Sequence, residues 1–371
     1  LTNSELKERL TDALTLLQVP GIGKGRYNRL IQKFGSPSAA LAASLHELEA
    51  VPSLSHALAT AIKSQANPEN ARAVAAKIIQ LGWEVLFPNI LGYPVALARI
   101  PDPPPILFRM GEPIHEDDKL VAIVGTRHPS ERGKLFTAKL AADLARAGIT
   151  VVSGMAEGID SAAHAGALDA GGKTIAVWGT SLDIIYPPSN KKLAERIGKQ
   201  GAIYSEYLPG TNPDKGYFPE RNRIISGLSE AIIVIEAGAK SGALITADHA
   251  IEQGRELFAV PGFPDALTSL GTNSLIKKGA RLLTGIQDLF DDLPRLAGKV
   301  SAKRFQALPD LTDMERKMIA LLAEGPVQID MLSRSAGLTV SEVLEFMLAL
   351  ELKGVVQELS GKRFMLSELT V

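Results

Sequence analysis

Between Leu120 and Leu283 the chain repeats one unit: a short apolar run, a small or glycine residue at its end, then an amphipathic helical pattern. The runs are Leu120–Val124, Thr150–Val152, Thr174–Val177, Ala202–Ser205, Ala231–Ile235, Leu257–Val260 and Arg281-Leu282-Leu283. They are continuously apolar rather than alternating, which predicts strands of a parallel sheet covered on both faces. In such sheets ligands bind outside the carboxyl ends of the strands. One rim should therefore collect Arg127, Ser153, Gly154, Lys215, Phe218, Arg221, Asn222, Arg223, Lys240 and Ser241.

The densest part of that set is Lys215-Gly216-Tyr217-Phe218-Pro219-Glu220-Arg221-Asn222-Arg223-Ile224-Ile225-Ser226-Gly227. Pro219 suggests a turn, and Asn222 is placed to cap a helix running to Leu228. Helix-start N–H groups beside Arg221 and Arg223 would suit a phosphate. The competing reading is a capped surface helix whose arginines pair with Glu220 and Glu230.

Upstream, Leu6, Leu10, Leu14 and Leu17 at helical spacing lead into Val19-Pro20-Gly21-Ile22-Gly23-Lys24-Gly25-Arg26 and a second helical run at Tyr27, Leu30, Ile31 and Phe34. This is a helix, a glycine hairpin and a helix, read as a structural bundle in preference to a phosphate-binding hairpin. Residues 83–113 read as an ordered connector with one short strand at Val85-Leu86-Phe87, the prolines at 94 and 103–105 barring helix. Residues 291–309 read as a linker. Helices at Leu311–Leu322, Ile329–Ala336 and Val340–Leu352, then a hairpin at Val355–Leu359 and Arg363–Leu366, follow the order of a winged helix. From Asp310 onward ten acidic residues face six basic ones, a formal charge of −4. Glu342, Glu345 and Glu351 sit on the helix that would read DNA, and acid there repels phosphate, so this module is expected to contact protein or to be a degenerate leftover. The expected domains are 1–82, 83–290, the linker 291–309, and 310–371.

Composition removes several chemistries. With 371 residues, 46% hydrophobic, the chain can hold two or three domains. A net charge of −1 leaves nucleic-acid binding to a local cluster. The absence of cysteine removes disulfides, thiol nucleophiles and Cys-ligated zinc. No apolar run reaches the ~18–20 residues of a membrane span, and the charged N-terminus does not resemble a signal peptide. A soluble, cytoplasmic protein is expected.

Gly125-Thr126-Arg127 occupies the first strand-to-helix turn, but the G-x-G-x-x-G spacing for NAD is missing. Gly238-Ala239-Lys240-Ser241-Gly242 lacks the upstream glycine of a P-loop, although Lys240 and Ser241 could hold one phosphate. Asp160 and His164 lie four apart; an acid/base pair or two metal ligands are conceivable, but a helix-start aspartate and a packed histidine fit better. Ser153 lacks the G-x-S-x-G elbow, and His128 is a minor candidate beside Arg127. What remains is binding: four or five cations with Phe218, and Tyr217 as a second ring, match single-stranded nucleic acid. About four neutralised phosphates would give a log–log salt slope of roughly −3. A strand-end pocket admits a single strand more readily than a duplex.

Val121-Ala122-Ile123-Val124-Gly125-Thr126-Arg127, Val152-Ser153-Gly154-Met155-Ala156-Glu157-Gly158-Ile159-Asp160, the segment Phe218–Leu228, Lys240-Ser241-Gly242-Ala243-Leu244-Ile245-Thr246-Ala247 and Val260-Pro261-Gly262 together resemble the DNA-processing DprA (Smf) family over about 93–285. The resemblance implies an α/β fold with an extended Rossmann-like sheet, an N-terminal helical (helix-hairpin-helix or SAM-like) domain and a C-terminal winged helix. It further implies a homodimer that binds single-stranded DNA, protects it and loads RecA in natural transformation, with no catalysis and no cofactor. Carried over by motif, Arg127 grips phosphate, Lys215 holds a phosphate and Phe218 stacks a base. Ser130, Gly154, Arg221, Asn222, Arg223, Lys240 and Ser241 belong to the same implied pocket. The alternative is an enzyme acting on a nucleotide or phosphoribosyl ligand, whose P-G-G-x-G-T loop is replaced here by Glu236-Ala237-Gly238-Ala239-Lys240-Ser241-Gly242.

Overall fold

Nine strands form one sheet in the computed structural model, which describes residues 2–297, 311–322, 325–353, 355–359 and 361–366. They are β1 (Glu84–Leu86), β2 (Leu107–Gly111), β3 (Lys119–Val124), β4 (Ile149–Ser153), β5 (Thr174–Val177), β6 (Ala202–Ser205), β7 (Ala231–Val234), β8 (Glu256–Ala259) and β9 (Arg281–Leu282). Their spatial order is β1-β2-β6-β5-β4-β3-β7-β8-β9. β3 to β9 pair in parallel, while β2 runs antiparallel to both β1 and β6.

β3 shows why the runs are apolar throughout. Val121 and Ile123 face a core with Val151, Ile233 and Phe258, under the helices Glu131–Arg146 and Ile159–Asp169. Leu120, Ala122 and Val124 face a second core with Val152, Ile232 and Val234, under the helices Tyr217–Leu228 and Gly242–Glu252. Successive side chains point to opposite faces, and each buried aliphatic contributes about 1.5–3 kcal/mol. A polar residue on either face would forfeit that, so both faces demand the same chemistry.

From β3 the chain steps outward through β4, β5 and β6, then returns to the other side of β3 for β7, β8 and β9. The crevice between the carboxyl ends of β3 and β7 is thus the topological switch point, where loops diverge and leave room for a ligand.

β2 corrects the expectation that 83–113 carries a single strand. Leu107 and Phe108 are fully buried, and Phe108 pairs with Ser205 and with Val85. The three prolines at 103–105 end just before it, where proline does not interrupt a ladder. The expected linker also starts too early. After the helix Ile286–Asp292, Leu293 and Leu296 are buried in the core beneath β3, and Arg295 Nε pairs with Glu230 at 2.8 Å. The rest of that linker, from 298 to 309, lies outside the described residues.

The chain divides into two units, 1–298 and 299–371. The helices Asn3–Leu17, Lys24–Phe34, Pro37–Ala42, Leu45–Glu49, His56–Gln65 and Pro68–Gln80 share one core with Trp83, Phe108, Trp178 and Ile203 of the sheet region. They are therefore not a separate body, because Leu10, Leu14 and Ile78 pack in the same apolar cluster as the sheet residues. The second unit has its own core around Met318, Leu332, Met347 and Phe364. Its helices Asp313–Leu321, Ile329–Ala336 and Val340–Leu352 are followed by the hairpin β11 (Val356–Leu359) and β12 (Arg363–Leu366), with β10 (Val327–Gln328) on the far side of β12. This is a winged helix. Glu342 reaches back to Thr339 in a capping box, so that acid is part of the helix start.

Candidate functional site

The turn after β3 is pinned from two directions. Thr126 donates its N–H to the Glu236 carbonyl at 2.7 Å, and its own carbonyl accepts from Ile159 N at 3.2 Å. Gly158 makes the second contact possible: its φ is +83°, and a Cβ there would lie 2.5 Å from the Thr126 carbonyl oxygen. Farther along, the Glu236 carboxylate accepts from Ser130 N at 2.9 Å and Ser130 Oγ at 2.6 Å. Ser130 Oγ in turn caps the helix that starts at Glu131, accepting from Gly133 N at 2.9 Å. Arg127 is left exposed at the tip of this braced turn.

The helix Tyr217–Leu228 begins five residues earlier than Asn222, which corrects the expected cap. Pro219 lies inside the first turn, where its missing N–H has no intrahelical partner to lose. Asn222 instead sits mid-helix, accepting from Arg221 Nε at 3.2 Å and donating to the Gly242 carbonyl at 3.3 Å. Phe218, half-buried, stands 5.5 Å from the Tyr186 ring, with the Arg127 guanidinium 5.6 Å over its face. Tyr217 is turned elsewhere and packs on Tyr207 at 4.5 Å, so it is not a second stacking ring in this pocket.

One cavity of about 490 Å³ gathers Arg127, Lys215, Phe218, Arg221, Asn222 and Ser241, together with Tyr186, His128, Asp160 and Thr246. It lies at the switch point, between the β3 turn and the start of the helix Gly242–Glu252. A smaller one of about 50 Å³ adjoins it and includes Gly154 and Glu157. Ser130, Arg223 and Lys240 do not line the larger cavity. Ser130 serves as a helix cap and a partner of Glu236. Lys240 is exposed on the Gly238–Ser241 turn, one residue from the wall formed by Ser241.

The two arginines of the 217–228 helix have different surroundings. Arg221 is 5% exposed, and its Nη1 donates to the carbonyls of Gly154 and Val177 at the ends of β4 and β5. A Cβ on Gly154 would lie 2.7 Å from that guanidinium, so glycine is required for the approach. Burial pulls Arg221 down to about 10, which leaves it charged at neutral pH, and the Asp160 carboxylate favours that charge. Arg223 faces the opposite side: Nη2 pairs with Glu206 at 2.7 Å and Nε lies 3.7 Å from Asp102. Glu206 also meets Lys24 of the glycine hairpin at 3.0 Å, and Lys24 bonds Glu220 at 2.7 Å. Arg223 therefore belongs to a brace between the hairpin and this helix.

Asp160 and His164 do not form an acid/base pair. Asp160 accepts from the N–H groups of Gly154 and Ala156 at 3.2 and 3.3 Å, and burial pushes its carboxyl upward despite the Arg221 charge. His164 Nδ1 meets Thr174 Oγ1 at 2.7 Å, and burial, then the Arg221 charge, hold it down to about 3. Asp160 lines the cavity, and His164 is fully buried. Among the described residues no group of three or more histidine, aspartate and glutamate side chains could hold a metal ion.

Two groups escaped the sequence reading. Tyr186 comes from the loop after β5, and every such loop in a parallel sheet opens on the same rim; an aromatic next to Pro187-Pro188 was the available signal. Glu236 ends the β7 run, yet its role depends on Ser130, 106 positions away.

Known proteins resemble this chain over most of its length. A family model described as DNA recombination-mediator protein A matches residues 84–294, and one described as the DprA winged helix domain matches 302–362. The chain is 35% identical to a protein Smf from Synechocystis over 382 aligned positions, covering 94% of this chain and 96% of that one. It is 44% identical to a DNA processing protein DprA from Bacillus subtilis, over 54% of this chain and 68% of the relative. The X-ray structure of DNA processing protein A from Streptococcus pneumoniae aligns with a TM-score of 0.67 at 35% identity, covering 76% of this chain and 97% of that one. A DNA processing protein A from Helicobacter pylori, studied for its single-stranded DNA binding mode, aligns with a TM-score of 0.51 at 36% identity, over 57% and 96% of the two chains.

Proposed function

The chain belongs to the DNA recombination-mediator protein A family, and from that premise we propose that its switch-point cavity holds single-stranded DNA, which the protein protects and hands to RecA in natural transformation. The observation that carries the reading is the convergence of Arg127, Lys215 and Phe218 on one cavity wall. Two exposed cations beside a half-buried ring supply charge for phosphates and a face for a base, the two requirements of sequence-tolerant single-strand binding. A single-stranded DNA binding mode is described for the Helicobacter relative, and this chain shares its fold at 36% identity.

Arg221 and Arg223 are engaged within the protein, so the cations facing outward are Arg127, Lys215 and the adjacent Lys240. Three neutralised phosphates correspond to a log–log salt slope of about −2 rather than −3. Homodimerisation, a cytoplasmic location and a purely binding role without catalysis or cofactor are part of the same proposal. Among the described residues no helix is long and apolar enough to cross a membrane.

The test is fluorescence anisotropy of labelled oligo-dT and of a duplex of equal length, at several salt concentrations, with Arg127→Ala and Lys215→Ala. Single-strand preference and a shallower slope in both variants are expected. Equal affinity of both variants with the parent protein would remove the cavity from the reading. Incubation with nucleoside monophosphates should release no base; release would favour a phosphoribosyl enzyme.

A further inference from the structure

We propose that the single strand does not end at the cavity but continues along the sheet rim to Phe263, which stacks a second base, with Lys240 holding the phosphate between. This rests on the single-strand reading above and extends it. The carboxyl ends of β5, β4, β3, β7 and β8 lie side by side in that order. Tyr186 follows β5, Arg127 follows β3, Lys240 follows β7 and Phe263 follows β8. From β3 to β8 the rim advances by two strand spacings, roughly 10 Å. At about 3.4 Å per nucleotide that distance is about three nucleotides, so a strand seated on Phe218 readily continues that far.

Phe263 is 73% exposed and Leu267, on the same loop, is 77% exposed. Such exposure would be unremarkable on a loose loop, but this one is braced. The Asn273 side chain both accepts from Gly262 N at 3.2 Å and donates to Gly262 O at 2.9 Å. Ala237 N donates to Thr268 O at 2.7 Å, which ties the loop to the residue after Glu236. A Cβ on Gly238 would meet the Leu267 carbonyl at 3.5 Å, so the loop lies against the start of the Gly238–Ser241 turn that presents Lys240. A ring kept in water by a fixed backbone is available for stacking at little ordering cost. Asp265, exposed between Phe263 and Leu267, gives the loop no cationic attraction of its own. Its contribution must come from the ring face.

The experiment is anisotropy on the full chain with oligo-dT of about 2 and about 20 nucleotides, the shorter spanning about 7 Å at about 3.4 Å per nucleotide, less than the distance from β3 to β8. Phe263→Ala should weaken the longer oligonucleotide about 5- to 150-fold, the range of one stacked base, with the salt slope and the shorter oligonucleotide unchanged. Phe263→Trp should restore it, and Lys240→Ala should lower the slope for the longer one by about 0.7. Parent-like binding of the longer oligonucleotide by Phe263→Ala, while Arg127→Ala loses affinity, overturns the extension and leaves the cavity reading intact. A loss that tracks a change in sedimentation of the free variant assigns this face to protein contact and also overturns it. Parent-like binding by Arg127→Ala and Lys215→Ala removes both readings.

Discussion

Arg127 and Lys215 at the rim and Arg221 and Arg223 behind it bear the same charge, yet they do different work. Both rim cations are exposed and line the cavity that holds Phe218. The other pair is 5% and 7% exposed and closes on carbonyls and carboxylates of the protein itself. Charge in a motif is therefore not evidence of a ligand contact until its partners are known. A buried guanidinium held by carbonyls and carboxylates of its own fold can shape a pocket but is turned away from a phosphate in solvent.

This contrast can be broken at several levels, the largest first. Arg221→Ala leaves Asp160 buried without its cation and the ends of β4 and β5 without a donor. The unfolding free energy should fall by about 3–5 kcal/mol in urea titration; a change under 1 kcal/mol would mean that the guanidinium is not a support. Arg127→Ala should leave the denaturation midpoint nearly unchanged and cost about 1.5–3 kcal/mol of oligonucleotide affinity, the range for hydrogen bonds to charged groups. Loss of stability instead would erase the distinction between rim and floor.

His164 tests the floor by pH. Its folded value of about 3 lies below the unfolded 6.5, so its contribution is complete above the unfolded value and is lost as pH falls toward the folded one. Between pH 7 and pH 5 that loss is about 2 kcal/mol. Asp160, pushed upward, works in the opposite sense as pH falls, so the histidine is isolated by comparing the parent with His164→Asn. An equal pH dependence in the two would show that His164 is solvated. Phe218→Ala should cost about 1–3 kcal/mol of single-strand affinity with the salt slope intact, since a ring neutralises no phosphate. Lys24→Ala is expected to be mildest, at most about 1 kcal/mol of stability, with no change in slope; a shallower slope would move the glycine hairpin into the binding surface.

The alternation of apolar runs with helical patterns made the parallel sheet and its rim legible, because a strand covered on both faces has no polar positions to confuse the pattern. Leu107–Gly111 was harder, being a five-residue strand directly behind prolines. The start of the helix at Tyr217 was misplaced because proline in a first turn and proline in a loop look alike in sequence. One signal was present but went unread. Residues two apart on a helix point about 200° apart, so Arg221 and Arg223 could not both face one pocket. The capping use of Glu342 was also written in the Thr339 to Glu342 spacing.

By itself the sequence determined the alternating architecture and the family, because periodicity and local motifs are properties of neighbouring residues. Only the tertiary structure decided which cations remain free. Arg221 finds its partners 67 and 44 positions away, Arg223 finds Glu206 17 positions away, and Glu206 meets Lys24 of the glycine hairpin. Coulomb attraction and hydrogen bonding act through space, so whether a cation is engaged is settled when distant segments meet.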